Sequence, residues 1–367
     1  MNGHNAIIII FISLGTFVIK AQDTPDNTFV DISYFYGNIA RHNNDIAHLI
    51  RGHPEGVIIG WNKKTFGFNA WERDFNYPDY GLSFSYQNLK NASLGQNYAL
   101  YAHYNFYFFK RNVMLRIGQG LAYTTNPYDK EENFRNIAFG SHVMSSTYLM
   151  LNYKKENIVD NLGIQAGLSL IHYSNANIKA PNTSINSIAF NIGLNYQLEH
   201  HSIPYQDIAI AEAHPKTVKY TMVFRTGINE SDVVGSGQFP FYIFSFYANK
   251  RLGRKSGIHL GTEVFFSNFL KEYIRYRSTA LLENDPIQGD EDYKRAGIFA
   301  GHELFINKLS VVTQLGYYVY YPVDFEGRVY FRVGLKRYFG KKFFGALTLK
   351  SHAAKAEAVE FGIGLQL

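Results

Sequence analysis

A histidine and a serine stand two residues apart near the end of an alternating segment, and this pair could carry out hydrolysis. The stretch "LSLIHYSNANIKAPN" covers residues 168–182 and contains His172 and Ser174. In a β-strand, residues i and i+2 project from the same face, about 6.6 Å apart along the chain. An imidazole at that spacing can reach a serine hydroxyl and act as its general base, which a serine nucleophile requires.

The segment that follows adds a third polar side chain to the same face. If the apolar bands of the two segments lie level in an antiparallel hairpin, His172 is opposite Asn186. An amide oxygen there can accept the second imidazole N–H and fix the tautomer, as asparagine does in Cys-His-Asn proteases. Asn175 directly follows Ser174, so its side-chain amide or the backbone N–H groups of the loop could stabilise an oxyanion. The alternative is that these polar residues only mark where the strand leaves an apolar environment.

Alternating strands are the elements that must position this cluster. Even positions of residues 162–174 are apolar as far as His172, and odd positions are mostly small or polar; residues 187–198, 328–336 and 359–367 repeat the alternation. Period-two alternation is typical of a strand between two different environments. Many of these segments run for about ten residues or more, the length that crosses a bilayer at a tilt, whereas soluble strands usually have about five or six.

We therefore predict an all-β fold, a transmembrane antiparallel β-barrel of the outer membrane with about 14–16 strands. Tight basic connections, as at 110–112 and 154–157, and long mixed ones, as at 42–54, 124–136 and 271–292, favour this fold. We predict that residues 22–367 form a single barrel domain, in which 200–216 is an unusually long connection on the short-turn side. A soluble all-β domain is the alternative, because its strands alternate as well.

The N-terminal residues indicate export. The apolar run Ala6–Ile19 is too short for a transmembrane helix and has the length of a signal-peptide core, so we predict that residues 1–21 are a signal peptide. The absence of cysteine excludes disulfides, thiolate metal sites and thiol nucleophiles. The formal net charge of +6 is spread along the chain and forms no basic stripe, so nucleic acid is not an expected partner.

The motif "HYSNANIKAPN" resembles the H-x-S-N signature of outer-membrane lipid A 3-O-deacylases of the PagL type, and more closely the longer acyloxyacyl hydrolases of a Bacteroidetes-like branch. Weaker similarity extends through "NFRNIAFGSH" at 133–142 and "GLSFSY" at 81–86. In that family the motif histidine is the base, the serine is the nucleophile and the next asparagine assists the oxyanion. The matching residues are His172, Ser174 and Asn175. The best-known members orient the histidine with a glutamate, where this chain has Asn186.

The resemblance implies a serine esterase of the bacterial outer membrane that hydrolyses an ester-linked acyl chain of lipid A, at the 3-position. The expected partners are lipid A or lipopolysaccharide and outer-membrane lipid, and a homodimer stays open. Neither a cofactor nor a metal is expected. Compact members of the family are eight-stranded, so the chain beyond residue 200 has no counterpart in them and no assigned role.

Other functions stay open at this stage. A catalytically weak or inactive barrel could serve in binding or transport, and calcium-dependent outer-membrane phospholipases also place a histidine and a serine on their outer wall. A metal could bind near the long connection, although the candidate residues lack a diagnostic spacing: Glu199, His200, His201 and His214. Three inward-facing cations could bind an anion, set pore selectivity or pair within the barrel wall: Arg328, Arg332 and Lys336.

Overall fold

The chain folds almost wholly into β-strands. The computed structural model describes residues 27–198, 203–207, 217–280, 286–353 and 355–367, so the predicted signal peptide at 1–21 lies outside the described residues. The described ranges hold sixteen strands, two α-helices and one 3-10 helix. No helix in these ranges is long and apolar enough to cross a membrane.

The first eight strands form one closed antiparallel barrel. Each strand pairs with its chain neighbours, and the eighth pairs back onto the first. The strands are β1 (Thr28–Ile39), β2 (Glu55–Lys63), β3 (Asp79–Asn88), β4 (Gln96–Phe108), β5 (Val113–Thr124), β6 (Val143–Val159), β7 (Leu162–Ser174) and β8 (Ile185–Gln197). A 3-10 helix (Asp45–Leu49) joins β1 to β2, and α1 (Ala70–Asp74) joins β2 to β3.

The remaining eight strands form a second closed antiparallel barrel, in which the last strand pairs with the first of the set. They are β9 (Val218–Asn229), β10 (Phe239–Arg251), β11 (Ser256–Ser267), β12 (Lys294–Ile306), β13 (Leu309–Tyr320), β14 (Val329–Phe339), β15 (Phe343–His352) and β16 (Lys355–Gln366). The helix α2 (Phe269–Thr279) lies between β11 and β12.

The predicted antiparallel barrel architecture and the strand number are confirmed, but the expectation of a single barrel over 22–367 is wrong. β8 pairs with β1 over Phe29–Ile39, which closes the first barrel before the second begins. Residues 200–216, which the single-barrel prediction made an unusually long connection, fall between the two barrels in the chain. The alternation of apolar and polar residues shows only which residues face outward on each strand. It is the same in one sixteen-stranded barrel and in two eight-stranded barrels, so it cannot tell which strands close a barrel.

One predicted turn is also displaced. Residues 154–157 lie inside β6, and the chain reverses at 160–161 instead. Lys154 and Glu156 point inward and form an ion pair at 2.8 Å, so their charges are neutralised by each other rather than by solvent at a turn.

The first barrel is apolar outside and filled inside. Large apolar side chains cover its outward face, among them Leu168 and Phe190, each 57% exposed. An apolar cluster that includes Ile171, Tyr173 and Ile185 fills the interior where β7 ends. Polar side chains fill the opposite half, where Arg116 pairs with Asp31 at 2.6 Å and both side chains are fully buried.

Ion pairs fill the second barrel. Two of the three cationic residues that the sequence suggested for anion binding take part in them. Arg332 contacts Glu263 at 2.8 Å and Glu360 at 2.6 Å, and Lys336 contacts Glu303 at 2.9 Å. Arg328 donates to the carbonyl of Tyr318 at 3.3 Å. Arg332 and Lys336 are therefore neutralised within the wall, which removes the basis for predicting that they bind an anion or line a pore.

Candidate active site

The outer wall of the first barrel brings His172 and Asn186 together. β7 and β8 pair in the predicted register, with His172 directly opposite Asn186. The two side chains lie on the outward face, and His172 Nδ1 is 2.7 Å from Asn186 Oδ1. Since an amide oxygen can only accept, the imidazole proton is on Nδ1 and the lone pair is on Nε2.

A second histidine holds Asn186 in this orientation. His42, from the loop between β1 and β2, has its Nε2 2.9 Å from the carbonyl oxygen of Thr183, so Nε2 carries the proton and donates it. Its Nδ1 is 3.2 Å from Asn186 Nδ2 and 3.2 Å from the carbonyl oxygen of Ala40, and in the neutral ring with the proton on Nε2 it accepts from the Asn186 amide. The amide oxygen of Asn186 is thereby directed at His172. Sequence reasoning missed His42, because a loop residue 144 positions from its partner carries no local signal.

Ser174 ends β7 beneath the loop 175–184 and is 6% exposed. Its Oγ lies 3.0 Å from the backbone N of Ala176, 3.0 Å from Asn182 Nδ2 and 3.2 Å from Asn182 Oδ1. Two N–H groups therefore converge on the hydroxyl oxygen. Among the described residues, no hydrogen bond joins Ser174 to His172; Ala176 and Asn182 hold the hydroxyl instead.

Asn175 uses its side chain to shape the loop. Its Nδ2 donates to the carbonyl of Lys179 at 2.6 Å and to Ser141 Oγ at 3.3 Å, and its Oδ1 accepts the N–H of Asn177 at 3.1 Å. The donors nearest Ser174 are instead the N–H of Ala176 and the amide of Asn182. The sequence suggested two oxyanion donors, the Asn175 side chain and the backbone N–H groups of the loop; the backbone N–H of Ala176 contacts Ser174, whereas the Asn175 amide contacts Ser141 and Lys179. Asn182, at the end of the same stretch, was missed.

The loop between β5 and β6 supports this loop from one side. The carbonyl of Ile137 accepts the N–H of Thr183 at 3.2 Å and its Oγ1 at 3.0 Å. A Cβ added at Gly140 would lie 2.3 Å from the carbonyl oxygen of Lys179, so only glycine allows the two backbones to approach this closely. Residues 133–142, which contribute to the family resemblance, therefore pack against the candidate site.

The second barrel supports the loop from another side. Glu230, 3% exposed, accepts the N–H of Ala180 through Oε2 at 2.9 Å and donates its own N–H to the carbonyl of Asn177 at 2.9 Å. Gln238 donates to the carbonyl of Ile178 at 2.7 Å. The loop that carries the donors to Ser174 is therefore held by both barrels.

The candidate metal ligands lie outside the described residues: Glu199, His200, His201 and His214. Within the described ranges, no group of three or more His, Cys, Asp or Glu residues is arranged to hold a metal ion.

Two solved structures that match the chain are mutants of a porin, at very low sequence identity. A mutant of the porin from Rh. blastica shares 8% sequence identity, with 93% of this chain and 99% of that chain covered and a TM-score of 0.18. A second mutant of the same porin shares 9% identity at the same coverage, with a TM-score of 0.17. Scores this low support no argument about fold or function. A search of curated proteins finds no match.

Family models match both barrels. The lipid A 3-O-deacylase (PagL) model matches residues 55–195, which takes in β2 to β7 and nearly all of β8 with the cluster around Ser174. The model of the acyloxyacyl hydrolase C-terminal domain matches residues 218–367, which are the second barrel. The boundary between the two matches coincides with the connection between the barrels. The chain therefore belongs to the PagL-type family of lipid A deacylases and acyloxyacyl hydrolases.

Proposed function

We propose that the protein is a serine esterase of the bacterial outer membrane that removes an ester-linked acyl chain from lipid A, at the 3-position. Ser174 is the nucleophile, His172 is the general base and Asn186 orients the imidazole. The N–H of Ala176 and the amide of Asn182 stabilise the oxyanion, and Asn175 holds the loop that carries them. Export through the predicted signal peptide and the Bacteroidetes-like branch are parts of this proposal.

The reaction proceeds through an acyl-enzyme. Ser174 rotates toward His172, transfers its proton to Nε2 and attacks the ester carbonyl carbon. The donors that contact Oγ at rest are then free to bind the developing oxyanion. The tetrahedral intermediate collapses as His172 protonates the ester oxygen of the sugar, which leaves as a hydroxyl group. Water, deprotonated by the same Nε2, attacks the acyl-enzyme, and its proton returns to Oγ as the fatty acid leaves.

The outward position of His172 beside Asn186 is the observation that carries the proposal. Leu168, Leu170 and Ile188 are exposed on the same face directly below the pair. An acyl chain lying against these side chains would present its ester to Ser174. A band of exposed apolar side chains around the barrel wall is what a bilayer requires, so it supports a location in the outer membrane.

Purified protein in detergent micelles tests the proposal. The wild-type chain should release 3-hydroxy fatty acid from lipid A, measured by mass spectrometry of the extracted acid. Ser174→Ala should lower the rate by about 10³-fold or more, because the covalent route is lost. Equal release by the variant and the wild type would refute Ser174 as the nucleophile.

A binding barrel without hydrolysis is the second candidate, favoured by the neutral Asn186 in place of an orienting acid. Such a protein would bind lipid A in micelles and release no fatty acid.

Transport through a lumen is disfavoured, because buried side chains fill the described interiors of both barrels. A calcium-dependent phospholipase would release fatty acid from phospholipid and lose that activity with a chelator, whereas the proposed mechanism is insensitive to chelators.

A further inference from the structure

A row of polar side chains crosses four adjacent strands on the outer wall. Gln119 on β5 pairs with Thr147 on β6, Thr147 pairs with His172 on β7, and His172 pairs with Asn186 on β8. Ser145, the partner of Ser174 on β6, lies beside this row. The polar row therefore extends two strands beyond the catalytic pair, on the side away from Asn186.

The residues of this extension lie on an otherwise apolar face. Along β5, Gln119 lies between Ile117 and Leu121, which are 39% and 42% exposed. Polar side chains on a lipid-facing surface cost free energy and are rare unless they have a function. Strand ends explain polar residues at a membrane rim, but Gln119 is five residues from the end of its strand.

The extension is a connected hydrogen-bonding unit. Gln119 Nε2 donates to Ser145 Oγ at 3.0 Å, and Thr147 Oγ1 donates to Gln119 Oε1 at 2.5 Å. These hydrogen bonds lower the free-energy cost of placing the three polar side chains on an apolar surface. They also leave one N–H of the Gln119 amide and acceptor positions on both hydroxyls to face outward.

We propose that Gln119, Ser145 and Thr147 form a subsite for the amide and hydroxyl groups of an acylated amino sugar. The inference rests on the proposed function. Thr147 and Ser145 are directly opposite His172 and Ser174, one strand spacing of about 4.8 Å away. A sugar whose ester lies at Ser174 therefore presents its neighbouring substituents to this subsite. Their recognition distinguishes the lipid A ester from the esters of glycerophospholipids.

Substrate discrimination tests the subsite. Thr147→Val and Gln119→Leu keep the approximate volume and remove the polar groups. Each should lower the ratio of kcat/KM for lipid A to that for a simple p-nitrophenyl fatty ester by about two- to tenfold, because a neutral hydrogen bond to the sugar is lost. The change should lie mainly in KM for lipid A. Hydrolysis of the simple ester also shows that each variant has folded.

Thr262→Val is the matched control, since Thr262 is an exposed threonine on the wall of the second barrel. It should leave the substrate ratio unchanged. An unchanged ratio in the Gln119 and Thr147 variants would overturn the subsite while the esterase stands. If the wild-type protein cleaves neither ester, the proposed function fails. Lipid A binding in micelles tests the subsite independently: equal affinity of the wild type and the Gln119→Leu, Thr147→Val double variant would overturn it.

Discussion

A neutral side chain orients the candidate base at the residue scale. Within the described residues no carboxylate contacts His172; the amide oxygen of Asn186 contacts Nδ1 at 2.7 Å. If the Asn186 amide flipped, it would present its NH₂ group to His172 Nδ1 instead of its oxygen. Only the oxygen accepts a proton from Nδ1, which leaves Nε2 unprotonated and able to act as a base. His42 selects the oxygen when its ring is neutral with the proton on Nε2, because Nδ1 then accepts from the NH₂ group of Asn186. The tautomer of His172 is thus fixed by neutral hydrogen-bonding groups, Asn186 and His42, and not by a carboxylate.

Removing His42 should therefore weaken catalysis without weakening substrate binding. We expect His42→Ala to lower kcat several-fold, up to about tenfold, because one neutral hydrogen bond of about 0.5–1.5 kcal/mol holds the amide. KM for lipid A should stay close to the wild-type value. His53→Ala is the control, because His53 lies in the same connection and contacts Asn38 instead of Asn186. A larger loss in the control than in His42→Ala would contradict this role.

The loop 175–184 carries the proposed oxyanion donors at the element scale. It brings Ala176 and Asn182 to Ser174, and its own backbone is fixed by loops from both barrels. Catalytic donors must be held close to their productive geometry, and a displacement of about 1 Å can cost about 10²-fold in rate. The packing behind the loop should therefore matter as much as the residues in it.

Gly140→Ala tests this packing. The new Cβ would lie 2.3 Å from the carbonyl oxygen of Lys179 and 2.8 Å from the carbonyl carbon of Ala180, so the loop backbone must move. We expect kcat to fall by about 10- to 100-fold. Gly253→Ala is the control, since a Cβ at Gly253 meets no atom of the described residues within 4 Å. Full activity of the Gly140 variant would mean that the loop tolerates displacement.

The strand pairing around the site was predictable, but the loop was not. Alternation set the faces of β7 and β8, and level apolar bands set the register that brings His172 opposite Asn186. Asn182 and His42 act from irregular segments, where no periodicity relates position to direction. Gln119 was missed because a single glutamine in an alternating strand carries no signal until its neighbours across the sheet are known.

Two barrels replace the expected single barrel at the scale of the whole molecule. The sequence predicted about 14–16 strands, and the sixteen observed fall within that range because each strand has its own alternation. Closure depends on the long-range pairing of β8 with β1, which no local pattern reports. The second barrel has a structural connection to the site through Glu230. Its carboxylate accepts the N–H groups of Ala180 and Gly237, and among the described residues no cation pairs with it. Both N–H groups belong to loops, so loss of this contact should affect the loop 175–184 more than the folding of either barrel.

Glu230→Gln should therefore impair catalysis more than folding. The replacement puts an NH₂ group against one of two N–H donors, which loosens the loop at Ala180, and we expect kcat to fall by about tenfold. Amide exchange at Ala180 should accelerate in the same variant, measured by hydrogen–deuterium exchange. Glu272→Gln is the control, because Glu272 pairs with Arg275 within α2 at 3.3 Å. Unchanged exchange at Ala180 would contradict a bracing role for the second barrel.

The mass of lipid A in living cells tests the central claim most directly. Bacteria that express the wild-type chain should carry lipid A lighter by one ester-linked 3-hydroxyacyl chain, and cells that express Ser174→Ala at the same membrane level should carry the unmodified species. Identical lipid A spectra from the two strains, whether both modified or both unmodified, would contradict ester cleavage by Ser174 on the outer wall of the first barrel.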